Sequence, residues 1–248
     1  LTDLNEADVL VHVVDFSGAT DLEGEPTEDH DPREDIDFLE AELDMWYRDI
    51  LEKGIERYRS GYHGEDGDIE TDLAEQMSAF RTNEDEIKQV VLSLDLELDP
   101  DTWDEEDREC LAREIRQRTR PMVVAANKMD TPEAQANYED ITGDPDYDHL
   151  TVVPASADAE KALKQADEGG VVDYRPGASD FDLVGDVSDE QAAGLEQIRE
   201  FVAAFDGTGV QQVVETALFE EFGAIAVFPG NGSPHDDGTF LQDCFVLP

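Results

Sequence analysis

Three polar residues, Asn127, Lys128 and Asp130, directly follow the apolar run Met122–Ala126. In an open parallel sheet, ligands bind outside the carboxyl ends of the strands, so this position predicts a binding loop. A carboxylate such as that of Asp130 can accept two hydrogen bonds side by side. Guanine presents two such donors, N1–H and N2–H₂, whereas adenine has an acceptor at N1 and no amine at C2. The spacing therefore predicts a guanine-reading loop, with the Lys128 stem along the base and Asn127 tying the loop to its neighbours.

A second loop should approach the same base from the next strand. Ser156 and Ala157 follow the run that begins at His149. We expect the Ala157 N–H to donate to the guanine O6, and the Ser156 hydroxyl to brace the loop. Asn-Lys-x-Asp alone is a short match, but a Ser-Ala pair one strand later strengthens it. The alternative is an ordinary strand-to-helix loop with polar capping residues.

Three valine-rich apolar runs predict the strands that carry these loops: Ala7–Asp15, Pro121–Asp130 and His149–Ala157. Continuous apolar runs are typical of strands buried on both faces of a sheet. Helices lie between them in the predicted order, so the fold class is α/β with a parallel sheet.

Residues 34–117 predict an inserted helical domain, because this segment is too large for a simple crossover connection. Apolar residues recur there at steps of three and four, as on one face of a helix. The four predicted stripes are Ile36, Leu39, Leu43, Trp46, Ile50, Ile55 and Tyr58; Ile69, Leu73, Met77 and Phe80; Ile87, Val90, Val91 and Leu94; and Leu111 and Ile115. Asn83 is the expected N-cap of the third helix.

The last third of the chain predicts a loop over 173–181 and then a long helix with Leu195, Ile198, Val202 and Phe205 on one stripe. Residues 206–211 should break this helix, and a further helix should contain Val213 and Leu218. Two short strands are expected after it, in Ala224–Gly230 and Cys244–Pro248. The last strand is expected to have no partner within the chain.

The composition is strongly acidic, with 64 Asp and Glu against 17 Lys and Arg, and a formal net charge of −47. The acids are spread along the whole chain, which favours a protein of a halophile. In molar salt the screening length is about 3 Å, so the repulsion between the carboxylates is largely screened. Such a charge argues against electrostatic capture of nucleic acid, and no direct DNA binding is expected. Two cysteines, Cys110 and Cys244, and the lack of a long apolar run or signal peptide predict a cytoplasmic protein that does not contact a membrane.

The sequence resembles the Obg-related, translation-associated GTPases, in particular the archaeal branch of the YchF type. The resemblance covers nearly the whole chain, through ADVLVHVVD, the segment from Gly24 to Trp46, PMVVAANKMD, VVPASA, YRPGASDF and GTGVQ in the family's order. It implies part of a Ras-like P-loop G domain at residues 1–33 and 118–222, a helical insertion at 34–117 and the start of a TGS domain at 223–248.

The same resemblance implies that the intact protein binds GTP or GDP, uses Mg²⁺ and hydrolyses GTP, with the ribosome or translation factors as partners. The phosphate loop would lie before this chain, so the chain alone is expected to be inactive and to bind GTP poorly, and no catalytic residue or metal ligand is assigned. Many YchF-type members have glutamate in place of Asp130 and prefer ATP, so Asp130 predicts a preference for GTP. The rival hypothesis is a non-catalytic module that docks on the ribosome or a partner and has a degenerate nucleotide pocket.

The other candidate functional residues are weaker. His12 lies in an apolar run and is expected to be a core histidine with its hydrogen bonds satisfied. Residues 65–70 hint at a calcium loop, but the glycine that the EF-hand pattern needs is replaced by Thr71. Trp46 and Trp103 are expected in the core of the helical segment.

Overall fold

The computed structural model describes residues 7–61, 67–80, 82–227 and 245–247. The chain forms two compact units, Leu1–Met122 and Val123–Pro248. The fold mixes helices with short strands. The predicted domain boundaries differ from this division and stay a prediction. Part of the suggested calcium loop, and Cys244, lie outside the described residues.

The first unit begins with strand β1, Leu10–Asp15. Val14 and Phe16 are buried, whereas Val11 and Val13 are 43% and 62% exposed. The prediction of a strand buried on both faces is therefore wrong for β1, because successive side chains alternate between faces and one face is left open by the described residues. The Leu10 N–H donates to the Pro121 carbonyl at 3.0 Å.

Four helices fill the rest of this unit: α1 (Pro32–Arg59), α2 (Ile69–Gln76), α3 (Glu84–Ser93) and α4 (Glu105–Thr119). Their starts follow local sequence rules. Asn83 and Glu86 form a capping box at α3, as Asp104 and Asp107 do at α4, and Asp31 caps α1. The predicted Asn83 cap is confirmed.

The core of the first unit contains most of the predicted stripe residues, whereas Ile50, Tyr58 and Leu94 are only partly buried against it. Helix α1 packs against α2 and α4, and α3 packs against both α2 and α4. Trp103 is buried as predicted, whereas Trp46 is only partly buried and packs edge-on to Phe80. Tyr47 and Leu51 are fully buried but lie outside the predicted stripe. Because α1 is covered by two helices, its buried face is wider than one stripe.

The second unit is built on two parallel strands, β2 (Met122–Asn127) and β3 (Thr151–Pro154). They pair in register from Val123 opposite Thr151 to Ala126 opposite Pro154. Strand β2 is buried along Met122–Ala126, as predicted for a covered parallel strand. Helix α5 (Pro132–Thr142) follows β2, and helix α6 (Ala157–Glu168) follows β3.

The remaining elements are small. Strands β4 (Val172–Asp173) and β5 (Asp182–Leu183) form an antiparallel pair around the predicted loop, and the long predicted helix is α7 (Asp189–Phe205). Helix α8 (Val210–Glu215) continues as a π-helical turn over Thr216–Glu221. Strand β6 (Ile225–Val227) pairs antiparallel with β7 (Phe245–Leu247). The prediction that the last strand has no partner is therefore wrong, because β7 pairs with β6 over three residues.

Candidate nucleotide-binding site

The loop after β2 turns sharply at its second residue. Lys128 has a φ of 65°, in the left-handed region that non-glycine residues rarely adopt. The Thr131 N–H and hydroxyl both donate to the Lys128 carbonyl at 3.0 Å. The Thr131 hydroxyl oxygen also accepts from the Ala134 N–H at 3.3 Å and so caps α5. These bonds hold Lys128 in a conformation that costs about 1–3 kcal/mol for such a residue.

Met129 anchors this loop, because its side chain is fully buried. Its N–H donates to the Ala155 carbonyl at 3.1 Å, and its carbonyl accepts from the Gln135 side chain at 2.9 Å. The residues on either side, Lys128 and Asp130, are half-buried and exposed respectively. Among the described residues, no hydrogen bond or ion pair occupies the Asp130 carboxylate, so it is available to a ligand.

The loop after β3 continues the sheet and then starts α6. The Ala155 N–H donates to the Ala126 carbonyl at 2.8 Å. Ser156 is fully buried, and its hydroxyl accepts from the Ala159 N–H at 3.2 Å as the N-cap of α6. The Ser156 N–H donates to the Thr208 carbonyl at 2.9 Å. The loop is thus fixed by both the sheet and the turn after α7.

A second hydrogen bond, besides that from the Met129 N–H to the Ala155 carbonyl, joins the two loops. The Ala157 N–H donates to Asn127 Oδ1 at 3.1 Å, and both residues lie at the carboxyl ends of neighbouring parallel strands. Asn127 therefore links the loops, the task that its position predicts. A role of the Ala157 N–H toward a base oxygen requires it to share or exchange this bond.

A cavity of about 740 Å³ adjoins the first loop. Within the described part of the chain, Asp130 is the predicted site residue that borders it. Helix α7 supplies an aromatic wall, where the rings of Phe201 and Phe205 lie 5.0 Å apart. The sequence pattern places Phe205 on a helical stripe but does not connect it with the site, because the stripe does not say which element α7 faces. Asp158 and Gln135 add polar groups to the lining.

A buried carboxylate lies one turn into α6. Glu160 is 6% exposed and accepts hydrogen bonds from the Tyr174 hydroxyl at 2.7 Å and the Thr208 hydroxyl at 2.6 Å. Burial alone would raise the pKa of Glu160, but the bonds from Thr208, Tyr174 and Lys164 together lower that pKa below its usual value. Burial and the bond to this carboxylate raise the pKa of Tyr174 to about 12.

His12 was predicted to be a core histidine with its hydrogen bonds satisfied, and the structure differs. It is half-buried, and its Nδ1 atom has no hydrogen-bond partner among the described residues. Burial lowers the pKa of His12, and the charges of Asp35 and Glu40 oppose that shift. His12 lies on the covered face of β1 with Leu10 and Val14, and the expectation of a satisfied core histidine is wrong at this nitrogen, because the described residues that cover this face offer it no hydrogen-bond partner.

The described residues contain no group of three or more His, Cys, Asp or Glu side chains placed to hold a metal ion. No helix in the described ranges is both long enough and apolar enough to cross a membrane.

The Asn-Lys-x-Asp loop and the Ser-Ala loop thus lie at the carboxyl ends of two paired parallel strands, which is where ligands bind in open α/β sheets. Residues 125–231 match the family described as Obg-like GTPase YGR210-like, G4 motif-containing domain. All five predicted nucleotide-binding residues fall within this match. This match relates residues 125–231 to the Obg-like GTPase family, as its G4 motif-containing domain.

Similar proteins agree with this relation. The chain is 35% identical over 252 residues to an uncharacterized GTP-binding protein of Methanocaldococcus jannaschii. It is 32% identical over 263 residues to an uncharacterized GTP-binding protein of Schizosaccharomyces pombe. The whole chain is covered in both alignments, and it spans 62% and 63% of these relatives. A crystal structure of a GTP-binding protein from Pyrococcus horikoshii OT3 matches with a TM-score of 0.76 and 34% identity, covering 100% of this chain and 66% of that one.

Proposed function

We propose that this chain is the guanine-reading portion of an Obg-like GTPase of the YchF type, which binds and hydrolyses GTP when intact. The observation that carries the proposal is the hydrogen bond from the Ala157 N–H to Asn127 Oδ1. It joins the Asn-Lys-x-Asp loop to the Ser-Ala loop at the carboxyl ends of paired parallel strands, where ligands bind in this fold class. The similarity to GTP-binding proteins supports the same function.

Each proposed contact has a specific chemical task. The exposed Asp130 carboxylate accepts from N1–H and N2–H₂ of guanine. The Ala157 N–H, which shares or exchanges its bond to Asn127 Oδ1, donates to O6, and the Lys128 stem lies along the base. Adenine would leave the Asp130 carboxylate facing the N1 lone pair, and an unpaired polar group of this kind typically costs about 1–3 kcal/mol. This cost is the proposed source of the preference for GTP.

The hydrolysis step rests on residues that we do not assign. The 248 residues contain no G-x-x-x-x-G-K-[ST] motif, which in phosphate-binding loops cradles the phosphates. In the intact protein, a phosphate loop and Mg²⁺ would position the γ-phosphoryl group and neutralise its developing charge. Residues 1–33 and 118–222 as a G-domain core, 34–117 as a helical insertion and 223–248 as the start of a TGS domain belong to the same proposal. So do a cytoplasmic location, a halophilic archaeal source and a role at the ribosome.

Isothermal titration calorimetry tests the proposal directly. The full-length gene product is titrated with GTP and with ATP in molar KCl containing Mg²⁺. We expect GTP to bind at least about tenfold more tightly than ATP, the equivalent of about 1.4 kcal/mol. Equal affinity for the two nucleotides, or no binding of either, would refute a guanine-reading function.

A further inference from the structure

The turn between α7 and α8 has an unusual backbone. Asp206 has a φ of 56°, and Gly207 and Gly209 have φ values of 128° and 79°. Thr208, between the two glycines, is fully buried. The sequence pattern predicts only a helix break here, and that break is confirmed. A buried polar residue in such a turn needs hydrogen-bond partners, and those partners indicate a further role.

Two hydrogen bonds of Thr208 reach the start of α6. Its carbonyl accepts from the Ser156 N–H at 2.9 Å. Its hydroxyl donates to Glu160 Oε2 at 2.6 Å. Ser156 and Glu160 are four residues apart, so they lie on the same face of the first helical turn. One residue therefore holds this turn at two points, next to Ala157.

Tyr174 also binds the Glu160 carboxylate. Its hydroxyl donates to the same Glu160 oxygen at 2.7 Å, while Lys164 Nζ lies 3.0 Å from the second oxygen. A buried carboxylate is costly unless its lone pairs are satisfied. Removal of either hydroxyl leaves Glu160 under-satisfied, so the start of α6 should shift toward solvent or another donor. Such a shift moves the adjoining Ala157 N–H.

The loop that carries Asp130 has two supports from its own segment, besides the bond from the Met129 N–H to the Ala155 carbonyl. Thr131 holds the Lys128 carbonyl, and Gln135 holds the Met129 carbonyl. Both supports come from residues 131–135, which cap and begin α5. A perturbation of Thr208 therefore acts first on the Ala157 half of the site and leaves the Asp130 half in place.

We propose that Thr208 is a positioning residue for base recognition, which fixes the Ala157 N–H at the guanine O6 through Ser156 and Glu160. This inference rests on the proposed function. It predicts that recognition of the base divides into two separable parts. One part, at O6, depends on Thr208 and Tyr174. The other part, at N1 and the C2 amine, depends on Asp130.

Three nucleotides separate these parts. GTP and ITP share O6 and N1–H and differ only at the C2 amine, whereas ATP has a 6-amino group that gains nothing from the Ala157 N–H. In the full-length Thr208→Val variant, we expect GTP and ITP affinities to fall by the same factor, about threefold to tenfold, as for one hydrogen bond. The GTP/ATP ratio should fall by that factor and the GTP/ITP ratio should not change. Thr208→Ser, which keeps the hydroxyl, should restore wild-type ratios.

Each outcome decides between the hypotheses. If the wild-type protein does not prefer GTP to ATP, the proposed function itself fails. If the wild type prefers GTP but Thr208→Val keeps both ratios within about twofold, the positioning role of Thr208 is wrong. A fall in the GTP/ITP ratio, or failure of Thr208→Ser to restore the ratios, also overturns it. If Thr208→Val does not fold, Tyr174→Phe removes the other bond to Glu160, and the same two ratios then support or overturn the positioning role.

Discussion

The Gly209→Ala substitution tests how closely the turn after α7 approaches the strand that carries the Ser-Ala loop. A Cβ atom at Gly209 would lie 1.9 Å from the Pro154 carbonyl oxygen and 2.8 Å from Ala155 Cα. Ordinary van der Waals contact begins near 3.4 Å, so the first contact is about 1.5 Å too short. Both neighbours are backbone atoms at the end of a paired strand, which cannot move aside as a flexible side chain can. Overpacking of this kind costs about 1–3 kcal/mol.

The left-handed backbone adds a second cost. Gly209 has a φ of 79°, which costs a residue with a Cβ about 1–2 kcal/mol. The total expected loss of unfolding free energy is therefore about 2–5 kcal/mol. Gly170→Ala is the matched control, because Gly170 has a φ of 67° and an added Cβ there meets nothing within 4 Å. It should lose only the conformational cost, about 1–2 kcal/mol.

Urea unfolding of the two variants and the wild type in the same molar KCl measures the difference. Any effect of alanine on the entropy of the unfolded chain is similar in both variants and cancels in their comparison. Gly209→Ala should be the less stable variant by at least about 1 kcal/mol. Equal stabilities of the two variants would mean that the close approach of this turn to Pro154 does not exist in solution.

Three further predictions concern charge and ionisation. The Arg116→Ala substitution should lower the free energy of unfolding by about 3–5 kcal/mol, because Arg116 is only 3% exposed and forms an ion pair with Glu40. Arg118→Ala, at an exposed pair, should cost less than about 1 kcal/mol by the same urea assay, and equal costs would contradict the burial argument. The pKa of Tyr174 is about 12 in the folded protein and 10.0 in the unfolded chain. The contribution of this tyrosine to the free energy of unfolding is therefore complete below pH 10 and is lost as the pH rises from 10 to about 12. The stability gap between wild type and Tyr174→Phe should therefore be constant up to pH 10 and narrow above it, and a gap that widens would refute this sign. Dialysis from molar KCl to about 10 mM salt should melt the helices of residues 34–117 first, because the screening length grows from about 3 to about 30 Å. Circular dichroism and hydrogen exchange that show unchanged helicity and melting temperature would contradict the halophilic interpretation.

The local rules of the sequence predicted the parts of the fold that depend on neighbours along the chain. The N-cap at Asn83, the buried run of β2 and the helix break at Asp206 each follow from a few adjacent residues. The parallel pairing of β2 with β3 also followed, because continuous apolar runs are typical of covered parallel strands. These features place the Asn-Lys-x-Asp and Ser-Ala loops at neighbouring strand ends.

The parts that sequence missed depend on contacts far apart in the chain. Thr208 lies 48 residues from Glu160, and no local pattern indicates that its hydroxyl reaches that carboxylate. The exposure of Val13 depends on which elements cover β1, and a run of valines does not specify them. Strand β7 pairs with β6, and this pairing depends on tertiary structure and not on the residues next to either strand. Long-range pairing of this kind leaves no periodicity to detect.

The exchange of base preference by Asp130→Asn tests the central proposal most directly. Xanthine carries an oxygen in place of the guanine C2 amine, so the asparagine amide would donate where the carboxylate accepted. Titration of the full-length variant and wild type with GTP and XTP, with Asp146→Asn as control, should show the preference move from GTP toward XTP by about 1–3 kcal/mol. Wild-type preference retained in the Asp130→Asn variant would contradict the assignment of Asp130 as the residue that reads the base.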